Sequence, residues 1–191
     1  MTRQLSFFTA GEVPPTVDDL EGLLAGPGHV VRRADEARIG VVVSGQWRVP
    51  CLLTAFAERG LAGDVATALD GQPAVRTAFS ATLLPIAGRW TRGARILPPL
   101  GFGLDGPRLR LWAIAGGRGD EYGYALQLGD TDDGGWSAIG SALHDAGLPG
   151  TLVGPRADGP AYRITGTRRI ARLRELVGEA PPGAPAEDWP G

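Results

Sequence analysis

The chain states nearly the same pattern twice at a fixed distance. Gly60-Leu61-x-Gly63 leads to Pro73-Ala74-x-Arg76, and Gly147-Leu148-x-Gly150 leads to Pro160-Ala161-x-Arg163. The offset is 87 residues at both ends (147 − 60 and 163 − 76). Upstream, Leu52, Ala55 and Phe56 match Ile139, Ala142 and Leu143; downstream, Leu83, Ile86 and Trp90 match Ile170, Leu173 and Val177. A duplicated unit that leaves an apolar face uncovered must pack against its copy, so the repeat constrains the fold before any local reading. It also predicts a pseudo-twofold surface, which suits a ligand with approximate twofold symmetry such as duplex DNA.

Composition limits what that ligand can be. With 191 residues, 43% of them hydrophobic, the chain can bury a sizeable core as two fused halves. Its net charge of −2 supplies no global positive field, so any nucleic-acid surface must be local. All 19 basic residues are arginine. Beside 30 glycines and 16 prolines this bias reflects GC-rich coding, and arginine counts alone carry no functional weight. Cys51 is the single cysteine and falls in an apolar helical run, which makes it a buried structural thiol and excludes a disulfide framework. The chain has no signal-peptide pattern and no apolar run of membrane-spanning length. The expectation is a reduced, cytoplasmic protein without a membrane partner.

Local signals divide the chain into a flexible N-terminal arm (1–16), a first repeat (17–90), a Gly/Pro-rich linker (91–106), a second repeat (107–177) and a Pro/Ala/acid-rich tail (178–191) expected to be disordered. In the first repeat, Asp18 and Asp19 open a helix at Leu20 that Gly26-Pro27-Gly28 ends. Strands are expected at 29–34 and 38–43, a helix at 49–59, strands at 64–68 and 74–79 joined by Asp70-Gly71, and a helix at 82–90. The second repeat reads more tersely: helix 107–115, strand 122–128, helix 137–145, strands 151–153 and 161–165, helix 167–177. The opening helices are offset by 91 (111 − 20), so repeat two has lost four residues from its first hairpin. The first half thus runs αββαββα and the second repeats that order more tersely, so the expected fold is an α+β class of two pseudo-symmetric αββαββα repeats with antiparallel sheets backed by helices.

The segment Leu20-Glu21-Gly22-Leu23-Leu24-Ala25-Gly26-Pro27-Gly28 resembles the motif that names the LAGLIDADG homing endonucleases, and Leu111-Trp112-Ala113-Ile114-Ala115-Gly116-Gly117-Arg118-Gly119 resembles a weaker second copy. Small residues four apart, Gly22 with Gly26 and Ala113 with Gly117, let two helix backbones approach at a central interface between repeats. The resemblance covers about residues 18–177 and implies a saddle of two antiparallel sheets, a monomer built as a pseudo-dimer. In that family the penultimate motif residue is an acid that holds the divalent metal for phosphodiester cleavage. Here those positions are Pro27, which has no donor atom, and Arg118, which repels a cation. Asp120 and Glu121, or Asp35 and Glu36, are the only nearby acids. The expectation is therefore no enzyme, no metal and no cofactor. The degenerate LAGLIDADG domain of WhiA-type regulators is similar to residues 111–128 in its Ala-Gly-Gly turn.

On such a saddle, DNA contact falls to basic residues on strand faces. Arg76 and Arg163 hold equivalent positions beside apolar neighbours (Val75; Tyr162 and Ile164), so period-2 alternation turns both away from the core; Arg32 and Arg38 are further candidates. Arg168, Arg169, Arg172 and Arg174 read as a solvated helix face, and His29 and His144 as structural. In the arm, Gln4-Leu5-Ser6-Phe7-Phe8 resembles the peptide by which bacterial proteins dock on the replicative sliding clamp. Leu5, Phe7 and Phe8 would be hydrophobic anchors and Gln4 the orienting hydrogen-bonding group. Glu187-Asp188-Trp189-Pro190 reads as part of the disordered tail, with a second partner hook as the alternative. The expected function is a non-catalytic factor at the replication or repair machinery, nucleoid-associated, with the clamp and duplex DNA as partners. The alternatives are a transcriptional or developmental regulator on the same scaffold, and an endonuclease using non-standard acids.

Overall fold

A computed structural model describes residues 14–129, 133–154 and 159–191. Thr16 and Asp19 form a capping box, with the Asp19 carboxylate accepting from the Thr16 backbone N–H at 2.9 Å and from its hydroxyl at 3.0 Å. This cap launches a 3-10 turn, Val17–Leu20, that runs directly into helix α1, Glu21–Ala25. Strands β1 (Gly28–Arg33) and β2 (Glu36–Val42) form a hairpin, followed by α2 (Arg48–Glu58), a second hairpin of β3 (Gly63–Thr67) and β4 (Pro73–Thr77), and α3 (Leu84–Trp90). Gly60, at φ 72°, gives the left-handed turn that leads α2 into β3. The second repeat comprises α4 (Gly106–Gly116), β7 (Gly117–Asp120), β8 (Gly123–Gln127), α5 (Asp133–Asp145), β9 (Thr151–Val153), β10 (Ala161–Ile164) and α6 (Thr167–Val177). Between the repeats lies a two-rung hairpin, β5 (Thr91–Arg92) with β6 (Arg95–Ile96).

The two antiparallel sheets have the same strand order, β1-β2-β4-β3 and β7-β8-β10-β9. The duplication therefore holds at the level of topology, and the α+β architecture of two αββαββα repeats stands. Three expectations are corrected. The first hairpin of repeat two is four residues shorter, as the offset requires (40 − 29 = 11 in the first sheet, 125 − 118 = 7 in the second), but it has two strands where one was expected: Gly117 to Asp120, read as the end of a helical motif, form β7 by pairing with β8. The linker is partly a hairpin, because Leu97 N–H donates to the Trp90 carbonyl at 2.8 Å and extends the end of α3. The tail is not disordered. It carries a 3-10 turn at Ala186–Asp188, and Trp189 and Pro190 are buried, since an indole beside apolar helix faces gains more from burial than the short chain loses in entropy.

One continuous core spans both repeats. Its fully buried side chains include Leu20, Leu23, Phe56 and Trp90 from the first half and Leu109, Trp112, Tyr124 and Leu126 from the second. Along β2, the side chains of Ala37, Ile39 and Val41 are fully buried while those of Arg38 and Val42, on the other parity, are half-buried, the alternation expected of a sheet with one face on the core. Among the described residues no helix is long and apolar enough to cross a membrane.

The repeats meet where α1 lies against α4. A Cβ on Gly22 would overlap the Arg108 backbone, and one on Gly26 would overlap the Trp112 indole. From the other side, Gly116 faces the Pro27 ring, which a Cβ would approach to 3.2 Å. Small residues do set this approach, but not all of those expected. Ala113 is fully buried in α4, whereas Gly117 opens β7 and a Cβ there would meet the Tyr124 hydroxyl; Gly116 takes its place at the seam. Above the seam, the buried Glu21 carboxylate accepts from Arg89 at 2.7 and 3.0 Å, Trp90 Nε1 at 3.1 Å and Arg108 at 3.1 Å. Nearby, Asp19 accepts from Arg59 at 2.8 Å. These bonds answer the buried carboxylates and tie α1, α2, α3 and α4 together.

Because the obstruction at Gly22 is backbone and cannot swing aside, Gly22→Ala is expected to destabilise the protein by about 1–3 kcal/mol. Gly88→Ala, in an exposed helix position with nothing within 4 Å, is expected to be neutral or stabilising by up to about 1 kcal/mol. Denaturant unfolding of both variants against the parent checks the pair.

Candidate nucleic-acid interface

The ends of the two motif helices are where metal chemistry would have to be built. Beyond α1 stands Pro27, packed on Gly116; beyond α4 the chain turns at once into β7, and Arg118 lies on that strand opposite Ala125. Neither position offers a carboxylate. The carbonyls that close α4 are instead met by a guanidinium from the first repeat. Arg48, buried at the start of α2, donates to Ala113 O at 3.1 Å, Ile114 O at 2.7 Å and Gly117 O at 2.7 Å, and its Nε donates to Ser44 O at 2.8 Å. A cation there suits the negative end of a helix.

The Arg48 charge is answered from the tail, where Asp188 lies 3.3 Å away and accepts from Trp47 Nε1 at 2.9 Å. Burial lowers the Arg48 pKa, and Asp188 opposes that shift. No group of three or more His, Cys, Asp or Glu side chains among the described residues is placed to hold a metal ion. A divalent cation and its acids do not fit this arrangement, because a guanidinium already occupies the helix end and repels a second cation. Asp120 is also committed. Although desolvation opposes it, the backbone N–H of Tyr122 at 2.8 Å and the Arg163 guanidinium hold its carboxyl below the ordinary range. Across the first hairpin, Glu36 pairs with Arg33 at 3.4 Å.

The solvent-facing sheet faces carry the remaining candidates. In the first sheet the register aligns His29, Gly40, Arg76 and Asp64 in one row across β1, β2, β4 and β3. In the second it aligns Arg118, Ala125, Arg163 and Thr151. Arg76 and Arg163 thus occupy matching places on outward faces. Both are held by acids: Arg76 donates to Asp64 at 2.8 and 3.1 Å, and Arg163 to Asp120 at 2.5 Å. The Asp64 pKa is lowered chiefly by those hydrogen bonds. Arg38 also faces outward and lies 4.7 Å from the Phe79 ring centre, with Arg33 at 4.2 Å. Among the described residues, the Nε atoms of Arg38 and Arg163 meet no hydrogen-bond acceptor.

Arg32 departs from this group. It pairs with the fully buried Ala37, so its parity is that of the core face, and it is exposed only because β1 is an edge strand. Outward strand positions hold five arginines (33, 38, 76, 118, 163) against three carboxylates (36, 64, 120), a local charge of +2 on a chain of −2. Sequence reasoning missed Arg33, Phe79 and the outward placement of Arg118. It also missed Tyr122, an exposed ring 5.3 Å from the Arg163 guanidinium. Gln4, Leu5, Ser6, Phe7 and Phe8 lie outside the described residues.

His29 is half-buried beside Gly40, where a Cβ would come within 2.9 Å of its Nε2. Burial, and then the Arg38 charge, lower its pKa from 6.5. The folded state therefore binds this proton less readily than the unfolded chain. Its contribution to stability is complete above pH 6.5 and is lost as pH falls from 6.5 through the lower folded value. Stability is expected to decline over that window, well above the range where Asp64 and Asp120 titrate. His29→Gln is expected to flatten the decline in unfolding experiments run from pH 7 to pH 5, about one and a half units below the ordinary histidine value.

No protein-family model matches the chain, and no curated protein matches it. Solved structures do. The homing endonuclease I-WcaI bound to its DNA recognition sequence aligns with a TM-score of 0.62 at 10% identity, over 83% of this chain and 78% of that one. Full-length DUF199/WhiA from Thermatoga maritima aligns at 0.60 and 13% identity, over 84% of this chain and 54% of that one. The N-terminal LAGLIDADG domain of DUF199/WhiA aligns at 0.57 and 13% identity, over 85% and 81%. The chain spans about half the length of full-length DUF199/WhiA. At these identities the likeness establishes the fold: two LAGLIDADG-like repeats in one chain.

Proposed function

We propose that this chain is a non-catalytic binding protein on a LAGLIDADG-like scaffold, which contacts duplex DNA through the outward faces of its two sheets. The observation that carries the non-catalytic reading is Arg48, whose guanidinium sits on the α4 carbonyls beside motif ends that lack carboxylates. The DNA reading draws support from the local charge of +2 on those faces and from the fold shared with I-WcaI, which is bound to its recognition sequence. Acid-held arginines such as Arg76 and Arg163 suit oriented contacts more than diffuse phosphate attraction. The resemblance of Gln4-Leu5-Ser6-Phe7-Phe8 to the peptide by which bacterial proteins dock on the sliding clamp supports a role in replication or repair. A second reading, a transcriptional or developmental regulator, is favoured by the likeness to DUF199/WhiA.

Two binding assays separate these readings. Purified sliding clamp is expected to bind the intact protein and to lose it on Leu5→Ala or Phe8→Ala; equal binding by the variants removes the replication reading. Selection on random duplexes is expected to enrich a sequence, with Arg163→Ala weakening the selected site by about 1–3 kcal/mol. Clamp binding without duplex binding leaves a protein-interaction module, and duplex binding independent of residues 1–10 favours the regulator. Nicking of the selected duplex in magnesium or manganese would overturn the non-catalytic reading.

A further inference from the structure

The last fourteen residues look like a spacer in sequence, yet they answer the buried Arg48 charge. Their contacts concentrate at the far end. The Asp188 carboxylate meets Trp47 and Arg48, and its carbonyl accepts from the Tyr124 hydroxyl at 3.0 Å. Trp189 is 6% exposed; its indole N–H donates to Gly178 O at 3.0 Å, and the Arg110 guanidinium lies 5.2 Å from its ring centre. Pro190 is buried beside it. Strand β7 makes room for this passage, because a Cβ on Gly119 would come within 2.9 Å of Glu187 O.

The stretch leading to these anchors is different. Residues 178–180, 182–183 and 186–187 are exposed; Pro181 is buried, and the Glu179 carbonyl accepts from Arg110 at 2.7 Å. Gly178 and Gly183 adopt φ of 72° and 80°, conformations that favour glycine and let the chain double back. A buried anchor on an exposed tether is the layout of a docked peptide rather than of a continuous core element.

We propose that α2, α4, β7 and α6 form a peptide-docking groove for an acidic residue followed by tryptophan and proline, and that the chain's own C-terminus fills it as a latch on β7. The specificity follows from the walls. Trp47 Nε1 and Arg48 require a carboxylate, and the Arg110-backed recess takes a flat aromatic ring. The latch acts through Arg48, which holds Gly117 O, the first carbonyl of β7. Without Asp188 that guanidinium keeps its charge but loses its carboxylate partner, so the hold on β7 and on Arg118 loosens.

Hydrogen exchange of the full chain tests this. Asp188→Asn and Trp189→Ala are expected to speed amide exchange across residues 118–120 by a factor on the order of a hundred, with residues 38–42 of β2 unchanged. Asp188→Glu is expected to retain most of the protection. In the Trp189→Ala protein, a synthetic peptide of residues 179–191 added in trans is expected to restore slow exchange at 118–120. Parent-like exchange in both variants overturns the latch. Acceleration of β2 together with β7 overturns it as well, because the tail would then be part of one cooperative core. Failure of the peptide to restore protection overturns the groove as a docking site.

Discussion

A buried guanidinium must have its charge and its donors answered, and much of this molecule is arranged around that requirement at Arg48. The side chain leaves the first repeat, crosses to the second, and spends its donors on the carbonyls where α4 ends and β7 begins. It thereby joins α2 to α4 and β7, and draws Asp188 in from the C-terminus. Breaking a buried charge pair leaves an uncompensated ion, so these partners stand or fall together. The same contact sets the charge at the motif end. A cation rests on the helix carbonyls there, and Asp188 is engaged by that cation and by Trp47. The position 87 residues beyond Arg48 is Gly135, which has no guanidinium to repeat this cap.

The solvent-facing sheets follow a different rule. Their arginines are not a free positive field. Asp64, Asp120 and Glu36 each hold one guanidinium and fix its direction, which keeps the local charge small. Exposed pairs of this kind add little stability. Their effect is to order long side chains that would otherwise lose entropy on contact with a ligand. The two faces also differ: His29 and Gly40 in the first sheet stand where Arg118 and Ala125 stand in the second. The pseudo-symmetry of the backbone therefore does not extend to the chemistry it presents.

How far the site was legible depended on the range of the interaction. The Asp64–Arg76 pair was within reach, because a hairpin turning at Asp70-Gly71 sets residue 64 opposite 76. Arg163 and Asp120 lie on strands separated by β8, and no local turn relates them. Arg32 was misplaced because alternation on an edge strand does not show which parity faces the core until its partner's register is known. Gly117-Arg118-Gly119-Asp120 has almost no strand propensity of its own and becomes a strand through pairing with β8.

By itself the sequence determined the duplication, the αββαββα order of the first repeat and the presence of small residues where α1 and α4 meet, because these rest on spacing and on side-chain size, which a linear pattern carries. Tertiary structure decided what those repeats present. It chose Gly116 over Gly117 at the seam, placed Arg48 on the end of α4, ordered a Pro- and Ala-rich tail around Trp189, and paired the outward arginines with their acids. Each of these joins residues distant in the chain, such as Trp47 with Asp188, 141 positions apart. Burial and hydrogen-bond satisfaction are properties of the packed molecule, and no window of sequence contains them.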